Sequence, residues 1–541
     1  MVPSDMDDLQ VPGVGSVAET LPCIQHLCNH MKEARPACTR VATRLQNLQQ
    51  ELRRMSEEGH PPALESLAGY VEVFANFLQL LRKYHNKHLI FRVAEHQKMT
   101  ERLKQVNEQL AQVFAALDVG APTNWDTSWQ IDCRLQEQAL TNAVDKSDIR
   151  SLQSSRAQLE ALLTLKFEVE KRADRHDGMS MILIQSLMGK ISAEMKRTEV
   201  TLPPWFLPLY EVEVEAEPFA GGHFGKVHRG VMRSGEKVVV EFFSVDELVT
   251  DERAQVQVEK ELGRLFQLRH SNVVTMLGGS HVSTPPFVVY EDTDNGNLGC
   301  FLARSDNKKK IWTMLHEAAL GLDYLHKKGF THGHLKLSNI LVGTDGQAKL
   351  TDFGLNAMRR YSALSKKFPD AVAKDDLRWR APECLVKGPT TTSDVYAFGM
   401  CIVEAVTDAV PFALVDPSNI GETTLEQPDE MNETEWQLVL AMTSKDPSER
   451  APLHDVIENL KEFVARAACE EPSSTEQTCV SCSAVVAAGS RFCSQCGTQL
   501  PPSTTNQSTP TLCMPGSVYV SKDTTVPALI AVDFILVRIR N

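Results

Sequence analysis

Four cysteines late in the chain, Cys479, Cys482, Cys493 and Cys496, form two Cys-x-x-Cys units. Thiolates spaced in this way can present four sulfurs to one tetrahedral ion, so the chemistry expected is structural zinc binding with no coordination position left for catalysis. A second group of chemically capable residues lies in the middle of the chain. Ala220-Gly221-Gly222-His223-Phe224-Gly225-Lys226-Val227 is rich in glycine, which lets a backbone approach a phosphate closely. Further on come His332-Gly333-His334-Leu335-Lys336-Leu337-Ser338-Asn339 and then Asp352-Phe353-Gly354, which supply an imidazole, an ammonium, an amide and a carboxylate. His334, as a neutral imidazole, accepts a proton near pH 7 and is a candidate base.

The elements around these residues read as strands and helices in a definite order. The glycine-rich loop follows a strand at 211–215 and precedes another, Val238-Val239-Val240-Glu241. Glu261 falls on an amphipathic helix with Leu262, Leu265 and Leu268. Tyr290-Glu291-Asp292-Thr293, Ala381-Pro382-Glu383, Ser393-Asp394-Val395-Tyr396-Ala397-Phe398-Gly399 and Asp446-Pro447-Ser448-Glu449-Arg450 then follow in turn, and Glu383 with Arg450 has the chemistry of a buried ion pair.

In this order the motifs resemble the tyrosine-kinase-like group of protein kinases. The lead-in Trp205-Phe206-Leu207-Pro208-Leu209-Tyr210-Glu211-Val212 is similar to that of large kinase families in oomycetes. The resemblance implies a bilobal α+β protein-kinase fold over 201–467. It implies ATP and magnesium as ligands, with Gly222, Gly225 and Val227 covering the nucleotide and Glu291 at the hinge behind a bulky gatekeeper, Tyr290. Asn339 and Asp352 would be the metal ligands, and Lys336 is the retained catalytic-loop lysine. Three positions depart from the pattern. His334 stands where the catalytic aspartate belongs, Glu241 where the strand lysine belongs, and Gly333 where an arginine receives a phosphorylated activation segment. Phosphorylation at Tyr361, Ser362 or Ser365 would therefore lack its usual receiver. Glu241 would face Glu261 as two repelling carboxylates. Exchanging the lysine for a carboxylate should weaken ATP binding by roughly 2–5 kcal/mol.

Length and composition frame these motifs. A chain of 541 residues with 42% hydrophobic and 23% charged content suits three or four folded domains. A net charge of −14 excludes a general nucleic-acid binder, which carries a basic face. The acidic start, Met1-Val2-Pro3-Ser4-Asp5-Met6-Asp7-Asp8, does not read as a signal peptide, and no run of about 18 apolar residues appears. The expected location is cytoplasmic, with the nucleus left open. Thirteen cysteines, four of them clustered, suit reduced thiols plus one metal site.

The order of domains read along the chain is a flexible leader (1–15), an all-α helical bundle (16–145), two brace-like helices (146–200), the kinase-like domain (201–467), a linker (468–476), a zinc ribbon (477–500) and a mostly disordered tail (501–541). The bundle rests on leucine stripes: Val41, Leu45, Leu48, Leu52 and Met55; Leu64, Leu67, Val71, Phe74, Leu78 and Leu81; and Met99, Leu103, Val106, Leu110 and Leu117. A fourth helix is expected after Asn124, with Trp125, Trp129, Leu135 and Leu140 on one side, which makes four helices in all. This order of domains resembles the mixed lineage kinase domain-like family, which implies a pseudokinase restraining a bundle that oligomerises and perturbs membranes.

Three readings of function stand. The first is a signalling pseudokinase or scaffold that binds ATP without efficient transfer and contacts proteins, itself included, through the bundle and the zinc ribbon. The second is a weakly active serine/threonine kinase using His334. The third is a membrane-acting oligomeriser under pseudokinase control.

Overall fold

The computed structural model describes residues 9–11, 14–60, 62–119, 125–147, 152, 154–195, 200–221, 225–243, 252–354, 377–416, 419–420 and 423–470, with short pieces at 476–478, 481–482, 485–487, 495–496 and 498. The chain divides into two compact units. One comprises Met1–Val212 with Val249–Asp251 and Gly278–Phe287; the other comprises Glu213–Leu248, Glu252–Leu277 and Val288–Asn541.

Among the described residues, the first unit opens with a short hairpin, β1 (Gln10–Val11) and β2 (Gly15–Ser16), and continues through eight α-helices. These are α1 (Val17–Asn29), α2 (Arg35–Glu57), α3 (Leu64–Tyr84), α4 (Leu89–Ala94), α5 (His96–Ala116), α6 (Trp125–Asp145), α7 (Ser155–Lys171) and α8 (Gly178–Met195). The leucine stripes did not mark α1. Its start is a capping box, in which Ser16 accepts from the Glu19 amide and the Glu19 carboxylate accepts from the Ser16 amide. Val41, Leu45, Leu48 and Leu52 of α2, Leu67, Phe74, Leu78 and Leu81 of α3, and Leu103, Val106 and Leu110 of α5 share one core with α1, as their spacing predicts.

The expected stripe of α6 is met in part, since Leu140 is buried and Trp129 packs against the first core. Leu135 is 47% exposed, whereas Asp132, Gln136, Leu140 and Val144 are buried at four-residue spacing. Two of these four are polar, so hydrophobicity alone could not find the face. Asp132 is stabilised there by Arg40 of α2, whose Nε lies 2.8 Å away. Leu140 and Val144 join a second core with Ile90 and Val93 of α4, Leu162 and Leu165 of α7, and Leu183, Ile184, Leu187 and Ile191 of α8.

Two further segments complete this unit by bonding to these helices. Along 202–212, the Tyr210 carbonyl accepts from Lys98 Nζ at 3.0 Å, and its hydroxyl donates to Glu168 Oε1 at 2.5 Å. Burial and Glu168 together drive the Tyr210 hydroxyl pKa well above its ordinary value. Glu211, wholly buried, accepts from Arg172 and Arg175. Along 278–287, Arg156 donates to the Val282 and Ser283 carbonyls, and His281 packs edge-on against Trp205 at 5.3 Å.

The second unit is organised by a mixed sheet-and-helix architecture. One sheet runs β3 (Val212–Val214), β5 (Gly225–Met232), β6 (Lys237–Phe243), β8 (Phe287–Glu291) and β7 (Met276–Ser280), with β4 (Ala220–Gly221) paired to β5. Helix α9 (Glu252–Phe266) lies between β6 and β7 in the chain. A helical portion follows: α10 (Leu298–Leu302), α11 (Ser305–Lys308), α12 (Ile311–Lys327), the hairpin β9 (Ile340–Val342) and β10 (Ala348–Leu350), then α13 (Cys384–Lys387), α14 (Thr391–Thr407), α15 (Glu433–Met442) and α16 (Leu453–Glu470). Helix α14 is apolar nearly all round and buries thirteen of its seventeen residues, which makes it the central post of this portion. Arg450 reaches Glu383 with two bonds, 2.6 and 2.8 Å, as the expected buried pair.

Near the C-terminus, β11 (Glu476–Thr478) and β12 (Val485–Ala487) form an antiparallel hairpin. Cys482 and Cys496 each fall in a turn and are exposed, while Cys479 and Cys493 lie outside the described residues. The expected leader up to residue 8, the sites Tyr361, Ser362 and Ser365, and the expected tail over 501–541 also lie outside them. Among the described residues no helix is long and apolar enough to cross a membrane.

Candidate active site

The loop that carries His334 is suspended from the central post. Asp394, in the first turn of α14, accepts from the His332 and Gly333 amides at 2.8 Å each and from His326 Nε2 at 2.8 Å. Three donors on one buried carboxylate fix the path of the loop. Lower on the same helix, Glu404 accepts from the Leu337 amide at 3.1 Å and from Trp379 Nε1 at 2.8 Å. Desolvation pushes the Glu404 carboxyl up to about 7, against the pull of those two bonds and of Lys336 nearby. The left-handed backbone at Gly333, φ +74°, suits glycine.

Asp352 also sits in the left-handed region, φ +62°, and this turn brings its carboxylate back onto the loop. His334 Nδ1 lies 2.7 Å from Asp352 Oδ2. Asn339 Nδ2 donates to the same oxygen at 3.1 Å and to the His334 carbonyl at 2.7 Å. An ionised carboxylate only accepts, so the Asp352 contact calls for a proton on Nδ1, whereas Asn339 Nδ2, which only donates, lies 3.1 Å from the same nitrogen; the contacts do not fix the tautomer. His332 and Phe330 pack on Phe353, at 5.8 and 6.5 Å between ring centres, and keep the turn in place. His334, Asn339 and Asp352 are thus brought together as the sequence expects. Lys336 is half-buried on the same loop.

The nucleotide-side residues are distributed over the sheet and α9. Gly225 opens β5 where a Cβ would run into the Phe242 carbonyl oxygen, so glycine is required there by strand packing as well as by any phosphate. Val227 stands directly opposite Glu241 in the β5–β6 register. Glu261 is half-buried on α9, and Gly222 lies outside the described residues. Glu291 closes β8, where its Oε1 accepts from the Thr275 amide at 2.8 Å and lies 3.4 Å from Lys349 Nζ. Its side chain therefore ties β8 to the residue before β7 and to β10. Asp394 was visible in the sequence only as part of a motif. Glu404 and Trp379 gave no signal, because neither belongs to a recognised motif and their hydrogen bond joins residues 25 apart that meet only in the fold.

A loop hung from a buried central helix, an Asp-Phe-Gly turn beside it, and a glycine-opened strand pair define a protein kinase domain. Residues 215–460 match the family of protein tyrosine and serine/threonine kinases, and residues 14–150 match the mixed lineage kinase domain-like N-terminal domain. The chain therefore carries a kinase domain behind a helical domain of that kind. It is 29% identical over 245 residues to mitogen-activated protein kinase kinase kinase 1 of Arabidopsis thaliana, covering 42% of this chain and 38% of that protein. It is 28% identical over 282 residues to the tyrosine-protein kinase transforming protein Abl of Abelson murine leukemia virus, covering 49% and 35%. With serine/threonine/tyrosine-protein kinase HT1 of Arabidopsis thaliana the identity is 25% over 311 residues, covering 54% and 76%. The chain thus spans well under two thirds of the first two of these relatives.

Proposed function

We propose that this chain is a signalling pseudokinase: a tyrosine-kinase-like domain of the oomycete type that serves as a scaffold, preceded by a helical domain that binds proteins and copies of itself. The observation that carries this reading is the 2.7 Å contact between His334 and Asp352. Phosphoryl transfer needs a carboxylate that orients the attacking hydroxyl and a metal-holding carboxylate beside it. Here an imidazole stands in the first position, in hydrogen-bond contact with the second.

The donor set fits magnesium and ATP in part. Asp352 and Asn339 are the residues that would hold the metal, and a bound metal would neutralise phosphate charge. However, Oδ2 of Asp352 is engaged by two donors, so the loop must rearrange before that oxygen can serve a cation. On the sheet side, Glu241 supplies negative charge where the phosphates need a cation. These features support weak nucleotide binding and poor transfer. The weakly active alternative draws support from the residue type, since a neutral imidazole at His334 can accept a proton.

At the C-terminus, the β11–β12 hairpin places Cys482 in a turn after a strand, as a zinc knuckle requires, and this supports a zinc ion held by Cys479, Cys482, Cys493 and Cys496. The zinc would stabilise a module too small to bury much core.

The deciding experiment is transfer of γ-phosphate from magnesium-ATP by the full chain, beside Asp352→Ala and a Glu241→Lys/His334→Asp double variant. Silence in the native chain with transfer in the double variant is expected. Transfer by the native chain that disappears in Asp352→Ala would overturn the pseudokinase reading in favour of a kinase using His334.

A further inference from the structure

Helix α1 carries chemistry that the kinase domain and the C-terminal cysteines leave unused. Its core side is Val17, Thr20, Ile24, Leu27 and Cys28, all buried. Cys23, His26 and His30, spaced three and four residues apart, are exposed. At 3.6 residues per turn they lie within about 60° of one another around the helix. The two imidazole rings already meet, with centres 4.4 Å apart and planes inclined at 47°. Two rings on one tetrahedral zinc ion, each bound through nitrogen at about 2 Å, would stand about 5 Å apart, so the pair needs only a small opening to share an ion. His30 is also prepared as a ligand. Its Nδ1 lies 2.8 Å from the His26 carbonyl oxygen, which only accepts, so Nδ1 carries the proton and the lone pair of the neutral ring is on Nε2. A backbone carbonyl on the second ring nitrogen is a usual outer partner of a metal-bound histidine and holds its tautomer and orientation. His30 is moreover the C-cap of α1, where the carbonyl end of the helix favours positive charge.

We propose that Cys23, His26 and His30 form a zinc site on the exposed side of α1, separate from the four cysteines near the C-terminus. A thiolate and two imidazoles are donors that zinc takes in preference to magnesium or calcium, and three protein ligands leave a fourth position for water. As the side chains stand, no three such donors converge among the described residues. Cys23, one turn before His26, therefore swings onto an ion first held by the two rings, a side-chain rotation that is fast at exposed positions. Facing solvent, the site exchanges its ion readily, and a chelator wash clears it.

The test uses the full chain, washed with chelator and kept in a non-thiol reductant, and titrates zinc against a fluorescent zinc indicator. The native chain should take up one ion more than the His26→Gln/His30→Gln variant, and Cys23→Ser should hold that ion about tenfold or more weaker. Magnesium in large excess should not displace it. The same titrations are run in a Cys482→Ser background, where the difference made by the two histidines should be unchanged. Cys23, His26 and His30 are exposed, and thermal melts check that the variants fold as the native chain does. Equal uptake by the native chain and the double-histidine variant, an affinity indifferent to Cys23→Ser, or displacement by magnesium would each overturn the proposal. Disappearance of the histidine-dependent ion in the Cys482→Ser background would overturn it as well, because the two sites would then not be separate.

Discussion

His281 should make its surroundings acid-sensitive, and the size of the effect follows from its burial. The ring is 3% exposed, lies edge-on to Trp205, and Nδ1 has no hydrogen-bond partner among the described residues. Desolvation, with Arg156 as a lesser cause, lowers its pKa from 6.5 to about 4. Between those values the freed imidazole binds a proton that the folded one refuses, so stability is full above pH 6.5 and is lost as pH falls toward 4. At about 1.36 kcal/mol per unit, the whole window is worth about 3 kcal/mol, and the loss reached at pH 5 is about 2 kcal/mol. The reporters are the amides of Gly279 and Ser283, which bond to the Trp205 carbonyl and Ser280 Oγ. Their hydrogen-exchange protection, corrected for intrinsic rates, should fall about thirtyfold between pH 7.5 and pH 5. His281→Phe keeps a ring against Trp205 and removes the titration, so its protection should stay nearly level over the same range. Parallel falls in both proteins would show that His281 is not the group that senses pH.

Glu404→Gln keeps an acceptor for Leu337 and Trp379 while removing a charge whose pKa is raised to about 7. Because the folded state favours the protonated carboxyl, the variant should melt higher than the native chain at pH 8 and equally at pH 5. Arg450→Met strands Glu383 and should cost about 3–5 kcal/mol in denaturant unfolding of the kinase domain, more than any exposed ion pair removed in the same way. Gly225→Ala forces a methyl against the Phe242 carbonyl and should destabilise the β5–β6 pair by about 3 kcal/mol or more, visible as faster exchange of β6 amides. Purified full chain should contain one zinc per molecule by elemental analysis, and Cys482→Ser should release it.

Much of the kinase domain was legible because its motifs fix backbone geometry. Asp352, Asn339 and His334 fell together where the spacing placed them, since a turn and a hydrogen-bonded loop leave little freedom. The stripes of α2, α3 and α5 were equally readable, because leucine at helical spacing has one way to be buried, except that Leu64, at the first position of α3, is 62% exposed. The failures share a cause. Helix α6 buries Asp132 and Gln136, so its inward face carries the residue types that mark an outward one. Helix α1 announces itself by a cap rather than by leucines. Glu291 looked like a hinge residue by position, yet what its side chain does depends on Thr275 and Lys349, which approach only in the folded state.

Gly333 has a bearing on how readily this loop could be returned to its ordinary form. An arginine there would have to accept φ +74°, at about 1 kcal/mol or more, and to push its Cβ past Pro389 at 3.2 Å. Exchanges at Glu241 and His334 meet no such obstacle of backbone shape. The three departures are therefore unequal: two are changes of side-chain chemistry, while the third is also one of backbone shape, since Gly333 sits where a larger residue would be strained. On the pseudokinase reading proposed above, exchanges at Glu241 and His334 would thus supply the chemistry of transfer before an arginine at 333 supplied control by phosphorylation, giving an enzyme without its switch.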